Sequence, residues 1–144
     1  MNAFLRFNKG ILRMPLRWRL WMVLLVGLNL VVPLCFIDRT EAQFVLAAMV
    51  VGMLLMTALV AVSGFSRLVG LGHIAWIPLA VYLGERLSEV PASDFFGVWL
   101  RVLLVANILS LIIDSVDVIR YVAGDREETV TWGGYEEKGE AKPD

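Results

Sequence analysis

The chain is poor in the residues from which most protein chemistry is built. Its 144 residues include one histidine, His73, one cysteine, Cys35, and five prolines. One cysteine cannot close a disulfide within the chain, and one cysteine with one histidine cannot supply the four ligands of a structural zinc site. Two axial histidines to a haem are likewise impossible within one chain. The sequence contains no HExxH, GxSxG or CxxC, no histidine-rich iron site and no glycine-rich phosphate loop, so the common hydrolytic, redox and nucleotide-binding signatures are missing. No catalytic residue, metal site or cofactor is expected, and the expected class is a non-enzyme. Charge is scarce as well, at 19% of residues, and a net charge of −1 offers no basic surface to nucleic acid.

Apolar residues fill the space that these leave. They make up 58% of the chain and the mean hydropathy is +0.72, too little polarity to cover a water-soluble fold. An integral membrane protein is expected. About 20 apolar residues cross a hydrocarbon core of roughly 30 Å, and runs near that length occupy residues 20–37, 44–65, 68–84 and 95–113. The expected fold is therefore all-α, a four-helix membrane bundle over residues 20–123 in which the last helix extends to 123. A basic amphipathic segment precedes it at 1–19 and an acidic tail follows at 124–144. The third run opens with Gly70, Gly72 and His73 and contains Pro78, which predicts a short or kinked span. Basic residues ahead of the first run resemble a secretory leader; the run is long and VPLC is a poor lipoprotein box, so an uncleaved anchor is expected.

The few charges are unevenly placed. Arg6, Lys9, Arg13, Arg17, Arg19, Arg67, Arg120, Arg126, Lys138 and Lys142 fall on one side of the four-span arrangement, against Arg39 and Arg86 on the other. Lys and Arg concentrate on the cytoplasmic side, which predicts a bacterial inner-membrane protein with both termini in the cytoplasm. Trp18, Trp21, Trp76 and Trp99 lie near span ends, where an indole buries its ring and hydrogen-bonds at the interface; filling helix contacts is the other role open to Trp76. Small residues four apart, Ala48 with Gly52, Thr57 with Ala61 and Ala80 with Gly84, permit close helix approach.

Two helical patterns carry more information. At about 100° per residue, Phe4, Phe7, Ile11, Met14 and Trp18 share one face, and Arg6, Lys9, Arg13 and Arg17 gather opposite. This predicts a helix lying in the membrane surface, with those four cations on anionic lipid headgroups and Pro15 ending or bending it. The second pattern is in the fourth span. Asn107, Ser110, Asp114, Asp117 and Tyr121 follow at spacings of 3, 4, 3 and 4, so they form one polar stripe along a helix. A carboxylate facing lipid is costly, so the stripe should face helices or water. Arg120 stands within pairing reach of Asp117. His73 should lie at the same depth, as a helix cap, a headgroup contact, or part of the same polar seam. For Asp114 and Asp117 the ordinary role is the charged end of a helix, and the functional one is a vestibule for a cation, with Asn107 and Ser110 as further ligands. Arg101 should snorkel or pair with Glu85, Glu89 or Asp94, and Asn29 and Pro33 should give an interhelix hydrogen bond and a kink.

After Gly124 the chain has seven acids and three bases, the composition of a flexible tail, in which Trp132 and Tyr135 are the residues able to dock on a partner. Two functional classes fit. The favoured one is a non-catalytic membrane subunit or assembly factor, acting through helix packing and tail contacts with other subunits or with itself. The alternative is a small cation channel or transporter that oligomerises around the polar stripe.

Overall fold

A computed structural model describes residues 3–127 and 129. Their regular elements are all helices, and four helical stretches, Leu16–Leu34, Thr40–Ser63, Arg67–Arg86 and Phe95–Val122, are long and apolar enough to cross a membrane. The protein is an all-α membrane protein.

Helix α1 (Ala3–Arg13) ends where Pro15, which cannot donate an amide proton and disfavours an α conformation in the residue before it, starts α2 (Leu16–Val26). The amphipathic pattern is present, but its apolar face is divided. Phe7 is buried with Met56, Val60 and Phe65 in a small core of its own, flanked by Ile11 and Met14, whereas Phe4, Leu5 and Leu12 are exposed. The expectation of an apolar face given wholly to acyl chains is corrected accordingly. Close packing explains the division: a Cβ on Gly10 would come within 2.3 Å of the Phe65 ring, so glycine lets α1 settle directly on the end of the second span.

The first span changes pitch midway. After α2 comes a π turn, Gly27–Val31, and then the short α3 (Val32–Leu34). Pro33 accounts for the turn, because it has no amide proton to give and its ring crowds the carbonyl four residues back. The Val32 amide instead reaches the Gly27 carbonyl, which leaves the Leu28 carbonyl without its helical donor. The Trp99 indole donates to that carbonyl at 3.0 Å. Trp99 is buried, so it is a helix contact and not the interface anchor that its position suggested.

Helix α4 (Thr40–Ser63) is unbroken and stops at Gly64, whose φ of 69° lies in the left-handed region. The third span then begins as a 3₁₀ helix, Arg67–Ala75, and continues as α5 (Trp76–Arg86). Nine residues at about 2.0 Å and eleven at about 1.5 Å give roughly 34 Å, so this span is long enough to cross a ~30 Å core despite its glycines and Pro78. Helix α6 (Phe95–Val122) starts on Asp94, whose carboxylate accepts the Gly97 amide proton at 2.8 Å. At about 1.5 Å per residue it is longer than a bilayer core.

The 3₁₀ segment runs between α4 and α6. A Cβ on Gly72 would lie 2.2 Å from Met56 Cγ and 3.2 Å from the Gly52 carbonyl oxygen, and one on Gly70 would lie 3.0 Å from Asp114 Cβ. Of the small-residue pairs, Gly52 serves a close contact, whereas a Cβ on Gly84 would meet nothing within 4 Å. The main core is formed by Leu25, Val45, Trp76, Leu83, Leu100, Leu103 and their neighbours. Gly72→Val is expected to lower stability in detergent by about 1–3 kcal/mol through overpacking, while Gly84→Ala leaves the melting temperature unchanged or raised; equal effects of the two would contradict this arrangement.

Candidate functional site

A 3₁₀ helix has three residues per turn, so residues three apart eclipse one another. In the third span this aligns Arg67, Gly70, His73 and, at its junction with α5, Trp76 on one stripe. Antiparallel to it runs the stripe of α6, and the two register rung by rung. Arg67 Nη1 donates to Asp117 Oδ1 at 3.0 Å. Gly70 leaves room for the Asp114 side chain. His73 Nδ1 lies 2.7 Å from Asp114 Oδ2, and the Ser110 hydroxyl approaches the same carboxylate loosely, at 3.5 Å. The His73 ring also stacks on Trp76, centroids 4.0 Å apart. His73 and Asp114 are mostly shielded, with side-chain exposures of 10% and 18%.

The roles in this contact follow the tautomer of His73: with Nδ1 as the donor to the carboxylate, Nε2 remains as the second polar edge. His73 lies within the 3₁₀ segment with its side chain on Asp114, as part of the polar seam. The imidazole is oriented from one side by a carboxylate and held flat by an indole, an arrangement suited to presenting Nε2 to a hydrogen-bonding ligand.

Deeper along α6 the stripe ends in a reciprocal amide pair. Asn29 Nδ2 donates to Asn107 Oδ1 and Asn107 Nδ2 donates to Asn29 Oδ1, both at 2.9 Å, and Asn29 also donates to the Leu25 carbonyl at 3.0 Å. Both amides are fully shielded. The interhelix bond expected of Asn29 is present, and its partner is the first polar residue of the seam.

At the emergent end of α6 the pairing differs from expectation. Arg120 does not meet Asp117; it donates to Asp125 at 3.0 Å, and Arg67 bridges Asp117 and Asp125, the latter at 2.9 Å. Asp117 shares the inward face with Asp114, so the third span reaches it first. The chain beyond Gly124, expected to be free, is tied down at its start: the Thr129 amide and hydroxyl both donate to the Phe65 carbonyl, at 2.9 and 3.0 Å. Tyr121 leaves the seam and lies under the Arg126 guanidinium, 5.6 Å from its ring centre. Trp132 and Tyr135 lie outside the described residues.

The remaining basic residues complete the picture. Arg17 is exposed, 5.9 Å from the Trp18 ring centre, and Lys9 and Arg13 are exposed on α1 with Arg6 half-buried beside them. Arg101, expected to snorkel or to pair with an acid, donates to the carbonyls of Gly97, Leu87 and Val90 at 2.9, 3.1 and 3.0 Å, so it reaches back toward the turn before α6 and meets carbonyls there. At that same end, Arg86 donates to the buried Glu41 at 2.9 Å and also pairs with Glu89, tying α4 to α5.

His73, Ser110, Asp114, Asp117, Arg67, Arg120 and Arg17 all line one cavity of about 630 Å³. Phe7 and Ile11 of α1, Trp18 and Trp21 of α2, and Met56 of α4 also line it. Sequence reasoning identified the α6 side of this site but missed Arg67, whose spacing of three and six from Gly70 and His73 becomes a face only in a 3₁₀ helix. Comparison with protein-family models, with curated proteins and with solved structures finds no match.

The amide pair offers a clean test of the seam. Asn107→Leu strands the Asn29 amide in an apolar setting and is expected to destabilise by about 1–2 kcal/mol, whereas Asn29→Leu with Asn107→Leu recovers at least half of that loss. Additive losses in thermal unfolding would mean the two amides do not depend on each other.

Proposed function

We propose that the protein is a non-catalytic accessory component of a bacterial inner membrane, with both termini cytoplasmic. In this reading it works as a subunit or assembly factor that packs against other membrane proteins. One observation carries the reading: the polar stripe of α6 is spent on partners within the chain. Asn107 meets Asn29, Asp114 meets His73 and Asp117 meets Arg67. A cation pathway shared by several copies calls for those groups to face a neighbouring copy, and they face the chain's own helices. The surface left for contact is the apolar one, on which Leu54, Val62 and Val105 stand exposed. The concentration of Lys and Arg beside the termini supports the cytoplasmic orientation.

Extraction from native membranes in mild detergent should retain a larger membrane protein at fixed stoichiometry. A symmetric assembly of this chain alone, conducting cations in vesicles and silenced by Asp114→Asn, would establish the pore instead. Orientation is checked on a Cys35→Ser background: an impermeant thiol reagent should label Ser88→Cys from outside intact cells and spare Glu127→Cys. The reverse pattern inverts the topology.

A further inference from the structure

Behind the 630 Å³ cavity lies a second space, an apolar slot of about 220 Å³. The two are continuous in their walls, since Phe7, Ile11, Met22, Leu25, Met56 and His73 line both. From Met22 to Leu30 on the first span and from Met56 back to Met49 on α4, the slot follows the helices for about 10–12 Å toward the middle of the bilayer. Four methionines, Met22, Met49, Met53 and Met56, give it walls that adapt to an irregular apolar occupant. One polar atom there is unexplained. Trp76 lines the slot and is 1% exposed, and its Nε1 has no hydrogen-bond partner among the described residues. A buried N–H without an acceptor costs about 1–3 kcal/mol, which an occupant carrying an acceptor would relieve once a small shift of the ring opens Nε1 to it.

The outer cavity has the opposite character. Its carboxylates are already engaged, Asp117 by Arg67 and Asp114 by His73. Arg17 pairs with no carboxylate among the described residues, and Arg120, about 9 Å along α6 beyond Asp114, shares Asp125 with Arg67. The sequence of environments from mouth to floor is thus cationic at Arg17 and at Arg120 with its shared carboxylate, hydrogen-bonding at His73 and Trp76, and apolar in the methionine slot. An anionic acyl lipid presents the same sequence: a phosphate, then ester carbonyls, then a hydrocarbon chain.

We propose that this continuous space binds one anionic glycerolipid from the leaflet next to the termini. One acyl chain lies in the slot, an ester carbonyl takes the hydrogen bond of Trp76 or His73, and the headgroup phosphate rests between Arg17 and Arg120, the latter exchanging Asp125, which Arg67 still holds, for the phosphate. Phe7 and Ile11 of α1 close the space from the side, which gives the docked N-terminal helix a role beyond anchoring. The site is independent of the subunit reading, because a larger partner could be present or absent without changing these walls.

The test uses the full chain in nanodiscs doped with phosphatidylglycerol or phosphatidylcholine, each bearing a photoactivatable group in the acyl chain, with cross-links mapped by peptide mass spectrometry. At Met49 and Met53 the anionic probe should exceed the zwitterionic one roughly tenfold, two arginines near a lipid phosphate being ample for that ratio. At exposed Val105 the two probes should label alike. Arg17→Gln with Arg120→Gln should abolish the preference while labelling persists, and Met53→Trp should reduce slot labelling to the level at Val105 with an unchanged melting temperature. Equal ratios at the slot and at Val105, or a preference that survives loss of both arginines, overturns the proposal. The arginine variants alter only the mouth of the cavity, so they decide the question even if Met53→Trp fails to fold.

Discussion

Hydrocarbon offers no partner to a carboxylate, an amide or an imidazole, and the last span carries all of these chemistries on or against one stripe. The stripe must be met from inside the chain, by something narrow enough to lie alongside it and polar on the matching face. The 3₁₀ segment answers both demands. It is thinner than an α-helix, its glycines admit Met56 on one side and Asp114 on the other, and its three-residue repeat brings Arg67, Gly70, His73 and Trp76 into a line. A nine-residue 3₁₀ helix is long by ordinary standards, and its less favourable hydrogen-bond geometry is offset here by the ion pair and the His73–Asp114 contact that only this winding aligns.

The same rule explains features elsewhere that look unrelated. Pro33 forces a wide turn in the first span, and the carbonyl it strands at Leu28 is taken by Trp99. Asn29, in that same turn, is completed by Asn107. Arg101 takes two carbonyls of the turn before α6 and one of the first turn of α6 itself. The irregular turn of the first span is matched by side chains from the fourth, so the polar contacts fix which helices are neighbours, and the apolar contacts fill in around them. Because lipid is as apolar as leucine, burial alone would specify the bundle poorly.

The spacing of Asn107, Ser110, Asp114 and Asp117 was readable from the sequence, and so was the demand that it face inward, because an α-helix converts spacing into direction. The membrane class and the division into four spans were readable for the same reason. The partners were not. His73 and Arg67 fall on one face only at three residues per turn, and nothing in RLVGLGHIA announces that repeat in advance of the packing that selects it. Arg120 was assigned to Asp117 by proximity along its own helix, whereas the third span supplied a nearer cation. The amphipathic character of residues 3–13 was legible, but its docking on Phe65 depended on Gly10, a residue whose importance is visible only once the neighbouring ring is in place.

Since His73 is the only histidine in the chain, its contact with Asp114 can be measured without ambiguity. With ¹⁵N in the histidine ring and ¹³C in the aspartate carboxyls, solid-state dipolar recoupling in lipid bilayers reports whether a carboxyl carbon lies beside Nδ1. A 2.7 Å approach of Nδ1 to the carboxylate oxygen requires strong dephasing that disappears in Asp114→Asn. Absence of dephasing in the unaltered protein, or dephasing that survives Asp114→Asn, would contradict the pairing of the third and fourth spans on which the rest of the structure is built.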